Sequence, residues 1–348
     1  MLTSWSVKDG HCLLREGAVS QISVALPEPN GRNAAAVAEP ESLRGAVWID
    51  LLNPSPEEES AVQTALRLEI PTREEMQEIE SSSRIYREGE ALFLTANFLY
   101  GIDGGEYGST AITFVLTTEH LITVRYATPK AFTVFGARAQ RVPGTLLASA
   151  DAVMLHLFEQ VVDRLADILE RVGSDMDRAS QSAFRSARAT GVKASRRDAD
   201  LRETLLTLGQ VGEVTTRASE TLLGLSRILT FVGAEKGIAV RKENQALIKT
   251  LVRDVRSLVE HANFLNNKAQ FLLDATLGII NVEQNAIIKT FTVASVALMP
   301  PTLIASIYGM NFREMPELSW EWGYPMAIGL MLAAAILPVA YFRRKGWL

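Results

Sequence analysis

The chain has 348 residues, 47% of them hydrophobic, and a formal net charge of −5. That charge excludes a generalist nucleic-acid binder, which carries a basic surplus. The single cysteine, Cys12, excludes an internal disulfide framework and any cysteine-based zinc cluster.

The apolar excess is concentrated after residue 285. Residues 1–10 contain no apolar core of signal-peptide length, so the C-terminal segments are expected to carry any membrane attachment. Residues 1–143 read as a cytoplasmic α/β domain. Residues 47–51 form a short strand, followed by Asn53-Pro54-Ser55-Pro56 and an acidic helix start at Glu57, Glu58 and Glu59. Thr72 and Glu75 have the spacing of a capping box, in which each side chain satisfies a free amide of the first turn. Residues 91–100, 110–117 and 121–126 are rich in β-branched and aromatic types, and short polar segments separate them. They are expected to be adjacent antiparallel strands. Residues 27–31 read as a loop.

After Pro143-Gly144 the chain is almost free of proline until Pro300. Residues 144–238 are expected to form two long cytoplasmic helices, with breaks near Gly191 and residues 233–237. Leu155, Phe158, Val162, Leu165, Ile168, Leu169 and Val172 make one apolar stripe. Leu201, Leu205, Leu208, Val211, Val214 and Ala218 make a second. A third helix starts near Ala239 as a stalk over residues 239–289 and runs without an obvious stop into an apolar segment. At 1.5 Å per residue it would reach on the order of 100 Å, a length that needs neighbours for support. That points to an oligomer.

Residues 290–308 and 324–342 contain no charge, and each is long enough to cross a hydrocarbon core. Residues 309–323 form the loop between these two spans, and residues 343–348 form a basic tail. Tyr308, Trp320, Trp322 and Tyr324 flank one end of the pair, and Tyr341 and Trp347 the other, as interfacial aromatics do. Lys289, Arg343, Arg344 and Lys345 bracket the spans, whereas the loop holds Arg313 against Glu314, Glu317 and Glu321. The positive-inside rule then places both termini in the cytoplasm. Nearly the whole chain is expected to be cytoplasmic, ending in a multi-pass membrane hairpin.

The most informative pattern lies on the third helix. Asp274, Gly278, Asn281, Asn285, Ile288, Thr292, Ser295, Met299, Thr302 and Ser306 follow at alternating spacings of four and three. Every second member is seven residues on, so they share one face, and a seven-residue period implies a left-handed bundle of like helices. Small residues alone also serve close helix packing in lipid. Amides and a carboxylate this near a membrane instead face protein or water. One helix cannot surround an ion, whereas several copies around an axis can. Ile288 and Met299 are the non-polar constrictions of such a pore, suited to gating by dewetting. Pro300-Pro301 deprives the carbonyls of Val296 and Ala297 of their amide donors, so a bend or local hydration is expected there.

The first span ends in Tyr308-Gly309-Met310-Asn311, and Met315-Pro316-Glu317-Leu318 follows. In that position the string closely resembles the CorA magnesium transporter family. The resemblance runs over residues 277–348 and includes Asn285, Pro301-Thr302, Trp322-Gly323-Tyr324-Pro325 and the basic Trp-Leu tail. Weaker similarity covers Trp48-Ile49-Asp50-Leu51, Pro71-Thr72 with Glu75-Met76, and Ser83-Arg84.

The resemblance implies a homopentamer with a funnel-shaped cytoplasmic domain and a pore built from five first spans. It implies a selectivity filter at Gly309, Met310 and Asn311, with Asn311 as the selecting ring. It also implies pore-facing roles for Asn285, Met299 and Thr302. Magnesium is then both substrate and regulator, no organic cofactor or nucleic acid is expected, and the lipid bilayer is a partner. Cobalt and nickel are further possible cargoes.

Glu314, Glu317 and Glu321, repeated around a ring, are placed to concentrate cations at the outer mouth. In this family internal magnesium between subunits favours a closed ring. Asp254 and Asp274 are the candidates for that regulatory role. Two other readings stay open: a zinc or other transition-metal transporter on the same scaffold, and a non-conducting membrane scaffold or sensor. His11, His120, His156 and His261 are scattered and none lies on the stripe, so soft-metal ligands are missing from it. No phosphate-cradling loop, zinc-ligand spacing or nucleophile motif supports an enzyme.

Overall fold

The structure, a computed structural model, describes residues 1–8, 11–17, 43–105, 107–188, 194–235, 240–310 and 315–347. The expected loop at 27–31 lies outside the described residues. By compactness the chain divides into two units, one of residues 1–182 and 203–271, the other of residues 183–202 and 272–348.

In the first unit, strands β1 (Leu2–Lys8), β2 (His11–Gly17), β3 (Trp48–Leu52), β4 (Ile85–Glu88), β5 (Ala91–Tyr100), β6 (Gly108–Leu116) and β7 (Leu121–Arg125) form one sheet, ordered β2-β1-β3-β7-β6-β5-β4. The three strands expected over residues 91–126 pair antiparallel, as adjacent β-rich runs joined by short polar turns should. The β3–β7 pair is parallel, and a parallel neighbour needs a long crossover. That crossover contains helix α1 (Pro56–Leu66) and strands β4 to β6.

Two capping boxes mark this region. Ser55 and Glu58 cap α1 reciprocally, and the proline at its first turn fits a position whose amide has no partner. Thr72 and Glu75 exchange the expected bonds, at 2.7 and 3.3 Å. They open only the short 3-10 turn Glu75–Gln77.

The sheet interior carries a buried ion pair. Arg125 donates from Nη2 to Asp50 Oδ2 at 2.7 Å and from Nε to Asp50 Oδ1 at 2.9 Å. Thr123 Oγ1 donates to the same carboxylate at 2.7 Å and accepts from Trp48 Nε1 at 3.0 Å. The third guanidinium nitrogen reaches Ala127 O and Thr128 Oγ1, and Phe132 lies under its plane. Phe132 belongs to helix α2 (Lys130–Arg141), which packs its Phe135 edge-on against Trp48.

Three long helices follow: α3 (Ala150–Arg188), α4 (Ala194–Ala234) and α5 (Gln245–Tyr308). Every member of the first apolar stripe is buried on α3. On α4 the second stripe is buried apart from half-buried Leu205. Gly224 brings α4 onto the sheet, since an added Cβ there would lie 2.7 Å from Cβ of Ala96.

The described part of the stalk helix starts at Gln245, later than the expected Ala239. Residues 236–239 are outside the described residues, and a turn at Lys242–Asn244 precedes the helix. The buried carboxylate of Asp151 accepts from Arg241 N at 2.9 Å and from Asn244 Nδ2 at 2.8 Å. Those bonds pin the lead-in segment to the first turn of α3. Lys268 on α5 then pairs with Asp177 on α3 at 2.6 Å.

In the second unit, α5 continues to Tyr308 and helix α6 (Gly323–Arg344) follows the 3-10 turn Pro316–Ser319. Both helices are long and apolar enough to span a membrane. The chain turns back after α6 at Gly346, whose φ of +71° is one that glycine adopts without strain. This lets Trp347 N donate to Phe342 O at 3.0 Å and its ring stack on Phe342. Lys289 Nζ lies 6.0 Å from the centre of the Trp347 ring. The basic start of one span and the basic end of the other therefore share one end of the hairpin.

Candidate ion pathway

The candidate pathway follows α5, which carries the polar stripe. All ten stripe residues are exposed in the single chain apart from half-buried Thr292. Ile288 is 60% and Met299 71% exposed. The flanks of the stripe are uncovered as well, with Phe291, Leu298, Leu303 and Ile307 all exposed, whereas Val293, Ala297 and Ile304 on the opposite face are buried or half-buried. Exposure therefore does not separate the stripe from its apolar flanks, but chemistry does. The apolar face is satisfied by lipid tails, whereas Asn281, Asn285, Thr292, Ser295, Thr302 and Ser306 need water or polar partners. Covered positions on the two spans include Val293 on α5 and Gly323 and Ala327 on α6.

Three of the four stripe hydroxyls have a common orientation. Thr292 Oγ1 donates to Ile288 O at 2.8 Å, Thr302 Oγ1 to Leu298 O at 2.7 Å, and Ser306 Oγ to Thr302 O at 2.8 Å. Each hydroxyl proton is thus committed to the helix's own backbone. The oxygens offer only lone pairs outward, which suits water molecules whose own oxygens face a cation. Pro300 and Pro301 sit inside the uninterrupted helix, and lacking amide hydrogens they leave two further carbonyls as acceptors on the same turn.

The same seven-residue series extends further than the sequence reading took it. Counting back from Gly278 reaches Phe271 and Phe264, which are 62% and 58% exposed. Two large uncovered aromatics thus stand in register with the stripe on the stalk, alternating with Asn267 and Asp274. Heptad counting beyond the first polar residue is the signal that finds them.

At the end of α5, Gly309 N donates to Ala305 O at 3.0 Å and Met310 N to Ile307 O at 3.3 Å. A Cβ at Gly309 would lie 3.2 Å from the Ala305 carbonyl oxygen, so the helix end accepts glycine best. Met310 is exposed. Asn311 and Glu314 lie outside the described residues. Glu317 is in the Pro316–Ser319 turn, and Glu321 is exposed shortly before α6.

Asp274 is exposed on α5. Asp254 lies on the same helix, with Arg253 Nε 3.8 Å from its Oδ1. Asp254 also belongs to an acidic neighbourhood that the sequence did not reveal. Asp163 on α3 has its carboxyl raised above the usual aspartate range, first by desolvation, then by Glu159, with Asp167 and Asp254 adding and Arg138 opposing. Among the described residues no three His, Cys, Asp or Glu side chains form a group able to hold a metal ion.

The shift at Asp163 predicts a pH dependence. The folded chain holds that proton more tightly than the unfolded chain, so ionisation subtracts stability as pH rises through the folded value. Asp163→Asn mimics the protonated state. Its thermal midpoint should match wild type below the usual aspartate range and exceed it by a constant margin once the pH is above the raised folded value. Parallel melting curves at several pH values check this, and a difference that does not vary with pH would contradict it.

These features define a class: a membrane protein whose α/β domain and long helices lead into two apolar spans, the first carrying a polar stripe. Residues 44–344 match the family described as CorA-like Mg2+ transporter protein, and the chain belongs to that family. It is 35% identical over 321 residues to the magnesium transport protein CorA of Salmonella typhimurium, covering 92% of this chain and 98% of that protein. Identity and coverage are the same for the magnesium transport protein CorA of Escherichia coli strain K12. The fold is similar to the complete structure of the CorA magnesium transporter from Methanocaldococcus jannaschii, with a TM-score of 0.64, 16% identity, and coverage of 100% of this chain and 99% of that one. It is also similar to the full-length CmaX protein, with a TM-score of 0.61, 15% identity, and coverage of 86% and 88%. Family membership places the chain among ion transporters and not among enzymes.

Proposed function

We propose that this protein conducts magnesium ions, still hydrated, into the cell through a central pore formed by α5 helices of five identical subunits. The observation that carries this reading is the polar stripe maintained along a helix otherwise suited to lipid. Both termini are cytoplasmic and the hairpin crosses the inner membrane, a reading supported by the basic residues gathered at one end of the spans. Uptake follows the membrane potential and needs no nucleotide hydrolysis.

In this reading Asn281, Asn285, Thr292, Ser295, Thr302 and Ser306 line the pore, and Ile288 and Met299 narrow it. Gly309, Met310 and Asn311 form the filter at the outer mouth. Magnesium dehydrates reluctantly, so outward-facing acceptors that bind its waters suit it better than ligands that strip them. Glu314, Glu317 and Glu321 raise the local cation concentration. Cobalt and nickel, similar divalent ions, enter by the same route.

The decisive experiment is flux. Vesicles containing only the purified protein should take up magnesium under an inside-negative potential, with cobalt and nickel competing. Absence of flux in correctly inserted protein would leave the scaffold reading, and preferential zinc uptake would favour the transition-metal reading.

Internal magnesium is also proposed as the regulator. Asp274 forms one acidic ring and Asp254, with the carboxylates around Asp163, another; within each, acidic side chains from neighbouring subunits repel until a divalent cation bridges them. Asp274→Asn and Asp254→Asn are expected to keep uptake but to need several-fold more internal magnesium for inhibition. Unchanged inhibition in both variants would remove these residues from the role.

A further inference from the structure

Along the stalk, α5 has two faces of different character, and its own chain covers only one. Leu251, Val255, Ala262, Leu265 and Ala269 follow at spacings of three, four and seven, and all are buried. The cover comes from α3. Leu265 lies against Gly173, 3.6 Å from where a Cβ would stand, and Lys268 nearby pairs with Asp177 at 2.6 Å.

Ser257, Glu260, Phe264, Asn267 and Phe271 lie on the opposite side of the helix, and all are exposed. Phe264 and Phe271 are seven residues apart, as are Glu260 and Asn267, so the two aromatics occupy one edge at levels about 10 Å apart. His261 stacks on Phe264 with ring centres 6.2 Å apart, yet Phe264 stays 58% exposed, and Phe271 is 62% exposed. A phenylalanine so placed forfeits most of what burial contributes.

The residues between the aromatics decide what can cover them. A continuous apolar joint would strand the Asn267 amide and the Glu260 carboxylate without water. The cover must therefore repeat every seven residues, meet the rings, and leave the polar levels wet. Copies of the same helix around a common axis meet all three conditions, because a seven-residue period belongs to a left-handed bundle of like helices. The same count runs on through Asp274 and Gly278 into the polar stripe.

We propose that Phe264 and Phe271 of neighbouring copies converge on that axis as two aromatic rings, and that these rings are a second constriction of the ion path, outside the membrane. The inference rests on the pore reading and adds a barrier that the spans do not contain. At each ring a hydrated magnesium ion finds no acceptor for its waters, so the lumen dewets unless the helices move apart. Between the rings, Asn267 offers one polar level where those waters are held.

Magnesium flux into vesicles containing the full chain tests this. Wild-type flux is measured first, and its absence would defeat the pore reading itself. With that flux in hand, Phe264→Ala and Phe271→Ala combined should raise uptake at least about threefold, and Phe271→Trp should lower it. Because two barriers in series share the control, each single alanine change should give a smaller rise. Placement is read separately with Phe271→Cys in a Cys12→Ser background, which leaves one thiol in the chain. A positively charged thiol reagent should cut its uptake at least about threefold and leave the Cys12→Ser protein unaffected. Should the double alanine variant fail to assemble, Phe271→Leu decides by the same flux, with a rise expected. Unchanged uptake in the assembled alanine or leucine variant, or full uptake after complete labelling of Phe271→Cys, would overturn the constriction while wild-type flux keeps the pore reading.

Discussion

Asn311→Ala is expected to bring magnesium uptake down to the level of protein-free vesicles while the detergent-solubilised assembly elutes as wild type. The filter we propose works by accepting hydrogen bonds from the waters that magnesium keeps. Alanine deletes the acceptor without adding charge or bulk. Gly309 and Met310 carry no side-chain oxygen to replace it, and Thr302 and Ser306 lie further down the helix. A barrier raised by only ~3 kcal/mol already slows passage on the order of 100-fold. Asn311→Asp should also slow uptake, for the opposite reason, because a carboxylate ring holds a divalent ion too well to release it. Magnesium flux near wild type in Asn311→Ala would sink the filter assignment and leave the pore stripe standing.

Arg125→Ala should cost about 3–5 kcal/mol of stability, the largest single-residue effect expected in the first unit. The penalty comes less from the attraction lost than from what is left behind. Asp50 is buried and would keep one hydrogen bond, from Thr123 at 2.7 Å, with no cation beside it. The planar contact of Arg125 with Phe132 is lost as well. Replacing Asp50 and Arg125 together by apolar residues of similar volume should recover most of the loss, because no charge then remains buried. Thermal denaturation of the full-length protein, followed by circular dichroism, checks both outcomes. Equal destabilisation by the single and double changes would show that packing, not the stranded charge, sets the cost.

Much of the fold was legible because its signals are local or periodic. The strand run from Ala91 to Tyr100 matches β5 end to end, since β-branched and aromatic residues fill it and turn residues bound it. The α3 stripe is buried along its whole length, as a helical period demands. The N-terminal strands β1 and β2 were missed. Their residues, such as Ser4, Ser6 and Glu16, alternate poorly, and their pairing with each other and with β3 is what makes them strands. Helix α2 was missed for a similar reason. Its start at Pro129 has no side-chain cap to announce it. The late start of α5 depends on Asp151, a residue about ninety positions earlier, which no local reading connects to Arg241 and Asn244.

The candidate pathway divides along the same line. Chain order alone determined that two apolar spans close the sequence and that the first carries hydrophilic residues every three or four positions, because a helix maps that spacing onto a single edge. Folding decided what the spacing cannot express. It turned the hydroxyls of Thr292, Thr302 and Ser306 inward to their own backbone, brought Lys289 beside Trp347, and set Asp254 in the field of Asp163. Those relations join atoms far apart in the chain or depend on rotamer choice, so they come into being only when the helices and sheet pack.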